Sequence, residues 1–557
     1  MHTLLTNVTI HTIDPTRPRA SAVAIKDGRI AAVGESASLL QARERETEVI
    51  DLGGRCLIPG FVDAHNHFGP TTLNPVAVDI SPDAVADIPA LQARIAEAAH
   101  ATPAGGWIRA VGYADDRLTE RRHPTRWELD EAAPEHPVVA VHSSYHRVVA
   151  NSRALELIGI VKSHTYRPYG TIDCDPTGEP IGLLAEAATN GPQRHSMAAL
   201  IERHEPQLLD LVEANGRRHL ALGITALQDA WVPPMFLDLM RRAAASGRLP
   251  LYYTPLRGSD RGLFDSPAAW LDGGDFDADR PPRIRRGGIK LFADGAGVTA
   301  ATRLPGHGGH DDGVDEGILF YEQARLNELV EQAARRHLTV AIHAIGNRAI
   351  AAALAGLTHA RAAAPTSRSR FRIDHFFWAT DAEIEQVRAL EVGVVTQPVG
   401  IWQYGDRPAY HTRPKQFLNW PVAQLHAAGV PVGGSSDAPC FALPPLWGIA
   451  AAAERRTIGR QALSPEQAVS VLDAIRMYTL DSAWAGGTDD EEGSITPGKL
   501  ANFVLLAEDP TIVPVQRVRD IVIDETWVDG RRVYAGPHPP APSPAGAGEG
   551  EILAHPG

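Results

Sequence analysis

Between residues 57 and 434 the chain keeps returning to one local pattern, a short β-like run followed by sequence with helical spacing. The runs are 57–62, Ile224–Gln228, Leu251–Pro255, Gly288–Phe292, Thr339–His343, Phe371–His375, Gly393–Thr396 and Val430–Gly434. Amphipathic stretches such as Glu322–Arg336 and Asp381–Leu390 separate most of them. Strands alternating with helices pair in parallel through right-handed crossovers, and eight of them predict an α/β fold built on a (β/α)8 TIM-like barrel. An open doubly wound sheet is the alternative, but no glycine-rich phosphate loop follows the first strand.

The chain ends have a different texture. Leu4–Ile13, Ala22–Val33 and Thr47–Leu52 read as strands, with Asp27-Gly28 supplying the positive φ of a tight hairpin. Near the other end Ala501–Ala507 is strand-like, and Ile521–Trp527 and Arg532–Tyr534 flank a second hairpin at Asp529-Gly530. Residues 1–56 with 493–536 are therefore expected to form one small β-sandwich domain, and 57–492 the barrel. An inserted subdomain is expected at about 70–210, since that stretch is too long for a structureless loop. Ser464-Pro465-Glu466-Gln467 reads as the capped start of a helix over Ala468–Thr479. The Pro/Gly/Ala-rich 537–557 reads as a disordered tail.

Composition narrows the class. With 557 residues, 44% hydrophobic and 22% charged, the chain suits a soluble enzyme of more than one domain. A net charge of −14 argues against a nucleic-acid surface. Three scattered cysteines, Cys56, Cys174 and Cys440, make neither a disulfide framework nor a cysteine-based zinc site. No signal peptide and no membrane-length apolar run is found, so a cytoplasmic enzyme is expected, with a small-molecule substrate, no nucleic-acid or membrane partner, and a homodimer as a possible assembly.

Strand ends carry the chemistry. His65 and His67 end the first run, one residue apart and hence on one face. Lys290 lies in the fourth, His343 ends the fifth, His375 the sixth, and Asp437 follows the eighth. In a barrel these ends converge at one mouth. Imidazoles ligate Zn²⁺ and similar ions, and an aspartate beside such an ion can ligate it and take a proton from bound water. Lys290 in an apolar strand needs a charge partner or a chemical change, because a buried unpaired ammonium costs several kcal/mol. A lone histidine is more often a satisfied core residue, and Asp437 alone would read as a cap. Six such residues on five separate strands make the functional reading the stronger one.

These segments resemble the amidohydrolase superfamily, and within it amidohydrolase family 3, the group of YtcJ-like and N-substituted formamide deformylase-like enzymes. The matching segments are PGFVDAHNH (59–67), GGIKLFADG (287–295), IHAIGNRAI (342–350), RIDH (372–375), GSSDAP (434–439) and GSITPGKLANFVLL (493–506), with HRVVANSRAL (146–155) and GEPIGLLAEAA (178–188) in the insertion. The resemblance implies one or two divalent metals, zinc foremost. His65, His67 and Asp437 would hold one, and His343 and His375 the second. In the family the strand-4 lysine, here Lys290, can carry a CO2-derived carbamate bridging the metals, and Asp437 and Lys290 would be the catalytic residues. The implied reaction is attack of metal-bound hydroxide on the C–N carbonyl of an amide or N-substituted formamide, with Asp437 moving the proton. A deaminase, a hydrolase of cyclic amides or esters, and a non-catalytic barrel are the alternatives. Asn347 stands where the family has Asp, and residues 296–303 depart from its usual Ser-Leu-Gly-Ser-Arg-Thr run. On the substrate side His146, Trp107, Tyr145, Gln397 and Trp402 are expected to border the mouth, with Tyr113 and Trp378 as further aromatic candidates.

Overall fold

The computed structural model describes residues 2–160, 169–258, 276, 281–296, 299–304, 314–407, 410–411 and 417–536. The expected tail and parts of the loop after Asp294 lie outside them. Eight strands form the central sheet: Phe61–Asn66 (β1), Ile224–Val232 (β2), Tyr252–Gly258 (β3), Gly288–Phe292 (β4), Thr339–Ala344 (β5), Phe371–His375 (β6), Gly393–Thr396 (β7) and Val432–Gly434 (β8). Each pairs in parallel with its sequence neighbour, in the order 1 to 8. The sheet closes just beyond β8. There Asp437 N–H donates to His65 O at 2.7 Å, and His67 N–H donates to Ala438 O at 3.0 Å. The chain is thus an α/β barrel, as the alternating pattern requires.

The first strand is shorter at its start than the sequence suggests. Cys56–Pro59 does not open the barrel. It pairs antiparallel with Phe503–Leu506 and parallel with Thr9–His11. The switch falls at Gly60, whose N–H bonds Asn502 O at 2.9 Å, whereas Phe61 N–H bonds Gly223 O at 3.0 Å. Glycine is required there, since a Cβ would sit 2.2 Å from Thr225 Oγ1.

Both chain ends build the sandwich. One sheet holds Arg29–Gly34, Ala22–Lys26, His2–Thr6 and Glu48–Asp51. The other holds Arg531–Ala535, Ile523–Val528, Phe503–Leu506, Cys56–Pro59, Thr9–His11 and Arg19–Ala20. Leu5, Ile10, Val23, Leu57, Phe503 and Trp527 fill the space between. The run Leu4–Ile13 is split, because Asn7 takes φ 52° and sends its two halves into different sheets. The two hairpin turns match their Asp-Gly signals, with φ of 50° and 76° at Asp27-Gly28 and 52° and 67° at Asp529-Gly530.

The insertion is a six-stranded sheet in the spatial order Gly170–Cys174, Pro180–Glu186, Arg147–Ala150, Val138–His142, Ile108–Tyr113 and Val78–Asp79. It has its own core, with Ile88, Leu91 and Ile95 of the helix Ile88–Ala101 packed on Ile108, Ala110 and Val138. The helices Asn190–Arg203 and Leu208–Ala221 belong to the barrel, since Met197, Leu200, Leu208 and Val212 join the main core.

The helix expected from Ser464 starts later. Ser464 lies at φ 46° and makes no cap bond, and Pro465–Gln467 is a single 3₁₀ turn. Ser470 is the cap of the next helix, Val471–Arg476, accepting from Asp473 N–H. Among the described residues no helix is long and apolar enough to cross a membrane.

Candidate metal centre and active site

The mouth of the barrel gathers His65, His67, His343, His375 and Asp437. His65 lies with ring centroids 5.3 Å from His67 and 5.0 Å from His375, and His375 lies 4.3 Å from His343. His65 Nε2 is 3.3 Å and His67 Nε2 3.0 Å from the same oxygen, Asp437 Oδ1. Period-two alternation explains His65 beside His67. It does not explain His375. Asp374 and His375 are consecutive and would face opposite ways on a regular strand. His375 takes φ 79° and Phe376 φ 54°, and this left-handed pair ends β6 and lets both side chains serve the interior. Asp437 is likewise left-handed, at φ 50°.

Each histidine has one nitrogen tied up by protein. His67 Nδ1 is 2.9 Å from Ala230 O, so it carries the proton and Nε2 keeps a lone pair. His375 Nδ1 is 2.9 Å from Gln397 Oε1, whose Nε2 in turn donates to Ser435 Oγ at 2.9 Å. His343 Nε2 faces Gly295 O at 3.4 Å and Asp294 Oδ1 at 3.5 Å, which leaves its lone pair on Nδ1. His65 Nδ1 lies 3.0 Å from Asp374 Oδ2, so its Nε2 lone pair is turned to Asp437. Burial favours the neutral form of three of them, lowering His65 to about 4 and His375 to about 3 and holding His343 well below its ordinary value. Burial alone would raise Asp437, yet His65, His67 and His375 hold it below the usual carboxylate range.

This donor set fits a divalent cation. Two imidazole lone pairs, from His65 and His67, point at one oxygen of an ionised carboxylate. A single proton relieves only one such contact, whereas a metal ion accepts all three groups at once. Neutral imidazoles with a carboxylate are the ligands Zn²⁺ and similar ions prefer. The hydrogen bonds at the far nitrogens of His67 and His375 fix the ligating tautomers.

Lys290 adjoins this set through Asp374, whose Oδ2 also faces His65 Nδ1 at 3.0 Å. It is fully buried, and its Nζ forms an ion pair with Asp374, whose other oxygen is 2.9 Å from Arg372 Nε. Arg372 also donates to Gln228, and Gln228 Nε2 donates to Ser482 O at 2.7 Å. Burial lowers the Lys290 ammonium while Asp374 opposes it. Burial would raise Asp374, but Arg372 and Lys290 hold it well below the usual range. Asp374 is thus the partner that the buried lysine required. It was legible by the same signal, a charge in an apolar strand, which the sequence reading applied to Lys290 alone.

Of the substrate-side candidates, His146 enters the ring of histidines, 5.6 Å from His343 by centroid. Gln397 is present as the orienting partner of His375. Tyr145 borders a cleft of about 1390 Å³ between insertion and barrel, beside Ser143, Gln403 and Pro439, and its hydroxyl donates to Asn74 at 3.2 Å. Trp107 and Trp402 have other contacts. Trp107 stacks on His195 at 5.7 Å, within the insertion and the helix beside it. Trp402 packs edge-on against Trp447 at 5.1 Å and under Arg519. Neither contact is with a group at the mouth, and loop position alone does not say which way a ring turns. Tyr113 sits against His123 and His142 inside the insertion, and Trp378 pairs in the short ladder with Asn419. Sequence reasoning also missed Asp294, which accepts from the N–H groups of Ala301, Ile345 and Gly346 and so moors the loop after β5. It missed Glu186, hydrogen-bonded to His146, as well.

The comparisons with known proteins agree with this geometry. The model of the amidohydrolase family matches residues 48–534. The chain is 32% identical over 531 residues to the N-substituted formamide deformylase of Arthrobacter pascens, covering 95% of this chain and 97% of that protein. It is 25% identical over 553 residues to the putative amidohydrolase YtcJ of Bacillus subtilis (strain 168), covering 94% and 98%. Its fold is similar to that of a solved, uncharacterised metal-dependent hydrolase from Pyrococcus horikoshii OT3, with TM-score 0.69, 24% identity and coverage of 93% and 99%. The chain therefore belongs to the amidohydrolase family, hydrolases that act on carbon–nitrogen bonds.

Proposed function

We propose that this chain hydrolyses the C–N bond of a small amide, of the N-substituted formamide type, at a divalent-metal centre for which zinc is the best-suited ion. The carrying observation is the convergence of the His65 and His67 lone pairs on Asp437, with His343 and His375 packed edge-on beside them. The 32% identity to a formamide deformylase supports the substrate class. A cation held there would polarise the substrate carbonyl and lower the pKa of water from about 16 toward about 7. The rest is done by the chain. Asp437 receives the proton of the attacking water. Gln397 and Ala230 O hold the rings of His375 and His67, so that no reorganisation is needed as charge develops. Lys290, in this reading, is the ammonium partner of Asp374, because a carbamate there would set an anion against a buried carboxylate.

Elemental analysis and a panel of N-substituted formamides and amides test the proposal. At least one equivalent of divalent metal is expected, lost when His65 and His67 are both replaced by alanine, together with turnover of some member of the panel. Protein that takes up no divalent metal under any loading condition would sink it. Intact mass under gentle conditions tests the lysine. An added mass of one CO2, removed by Lys290→Met, would restore the carbamate.

A further inference from the structure

The inserted sheet sends one pair of side chains into the barrel mouth. His146 directly precedes the strand Arg147–Ala150, and Glu186 ends the neighbouring strand Pro180–Glu186. The two are joined by backbone, Glu186 N–H to His146 O at 2.9 Å, and by side chain, Nδ1 to Oε2 at 2.8 Å. Glu186 adopts φ 54° and ψ −130°, a conformation rare for a residue with a side chain. Its other oxygen accepts from Thr299 Oγ1–H at 2.5 Å and Ala296 N–H at 3.3 Å. Gly295 is part of the fit, since a Cβ there would stand 2.5 Å from Glu186 Oε1. The loops after β4 and before β5 are thus shaped around a carboxylate delivered from the insertion.

Glu186 is 4% exposed, and a carboxylate so buried needs a cation. Thr299 and Ala296 are neutral donors. The group that answers the charge within hydrogen-bond reach is the His146 imidazole, its Nδ1 2.8 Å from Glu186 Oε2. With Nδ1–H held by Glu186, the opposite edge of the ring, Nε2, remains for the mouth, where the ring lies 5.6 Å from His343 and 6.5 Å from Phe292 by centroid.

We propose that His146 is a catalytic residue, the proton donor to the leaving nitrogen, and that Glu186 is its positioning residue. This rests on the C–N hydrolysis read above. The water oxygen bonds the carbonyl carbon while its proton passes to Asp437. As the C–N bond breaks, the electron pair on nitrogen takes the proton from His146 Nε2, and the amine departs. The proton on Asp437 then restores the imidazole, leaving one acid and one amine from one amide and one water.

The leaving group reports on this step. The probe is a set of N-substituted formamides whose amines run from weakly basic anilines to strongly basic alkylamines. Wild-type kcat/KM should vary little along the series. His146→Gln should lose about 10²–10³-fold on the basic amines and far less on the anilines, which depart with less help. Glu186→Gln should steepen the series in the same direction by a smaller factor. Metal content and melting profile are measured on both variants, and either one that keeps them carries the test. A loss uniform along the series, or an unchanged series, overturns the assignment while leaving the hydrolase reading intact. Metal-loaded wild type that turns over no member overturns the hydrolase reading and this assignment with it.

Discussion

Asp437 is the residue on which three imidazoles act at once, and its replacement isolates proton transfer from folding. Asp437→Asn should keep the fold, because the backbone N–H that closes the barrel onto His65 O is untouched. Turnover should fall by about 10²–10⁴-fold, read as kcat with a melting curve as control. Near-normal kcat would show that Asp437 moves no proton. The interior triad of Lys290, Asp374 and Arg372 governs stability instead. Asp374→Asn leaves two buried cations facing a neutral amide, and a loss of about 3–5 kcal/mol is expected from the shift of a urea midpoint. A shift below about 1 kcal/mol would mean that water or another group neutralises the pair. The sequence showed that Lys290 needed an answer. Asp374 carries the same signal, but so do other acidic residues at the strand ends, and only the fold pairs it with Lys290.

At the scale of elements, two serines that look alike in sequence have different fates. Ser470 accepts from Asp473 N–H and starts a helix, whereas Ser464 makes no cap bond. Ser470→Ala should cost about 1 kcal/mol and Ser464→Ala less than about 0.5 kcal/mol, by denaturant titration. The reverse order would restore the helix start read from the Ser-Pro-Glu-Gln pattern. Gly287, at φ +69° before β4, faces Pro255 O so closely that a Cβ would lie 1.9 Å away. Gly287→Ala should therefore misplace the strand that carries Lys290, and should lower the melting temperature by several degrees. Strand alternation made His65 and His67 legible as a pair. The left-handed turn at His375 was not legible, because a non-glycine residue at positive φ is held there by tertiary context rather than by propensity.

For the whole molecule, the two chain ends meet in one sheet. Phe503–Leu506 pairs with Cys56–Pro59, and Thr9–His11 pairs with that same strand. Gly60 and Phe61 then pass directly into the barrel. A chain ending before residue 493 would expose the buried face of Leu57, Ile10 and Leu5. It should be recovered as insoluble or collapsed protein, with the cooperative thermal transition lost. A soluble, cooperatively melting truncation would show that the barrel stands without its sandwich. The insertion was visible as a long interruption between two barrel strands. That it delivers His146 and Glu186 to the mouth was not visible, since the two lie far along the chain from every strand end they face.

By itself the sequence determined the repeating unit, the order of the strands, the composite β domain, and five of the groups at the mouth. All of these follow from local periodicity and from the rule that parallel strand ends converge. Tertiary structure alone decided the charge partner of Lys290, the direction in which Trp107 and Trp402 turn, and the closure of the barrel through Asp437 onto His65. It also decided the pairing of His146 with Glu186. These depend on which side chains meet across strands distant in sequence, and no local pattern carries that information. His65 and His67 are two residues apart, and alternation suffices to put them on one face. Asp437 reaches them only because the eighth strand returns to the first.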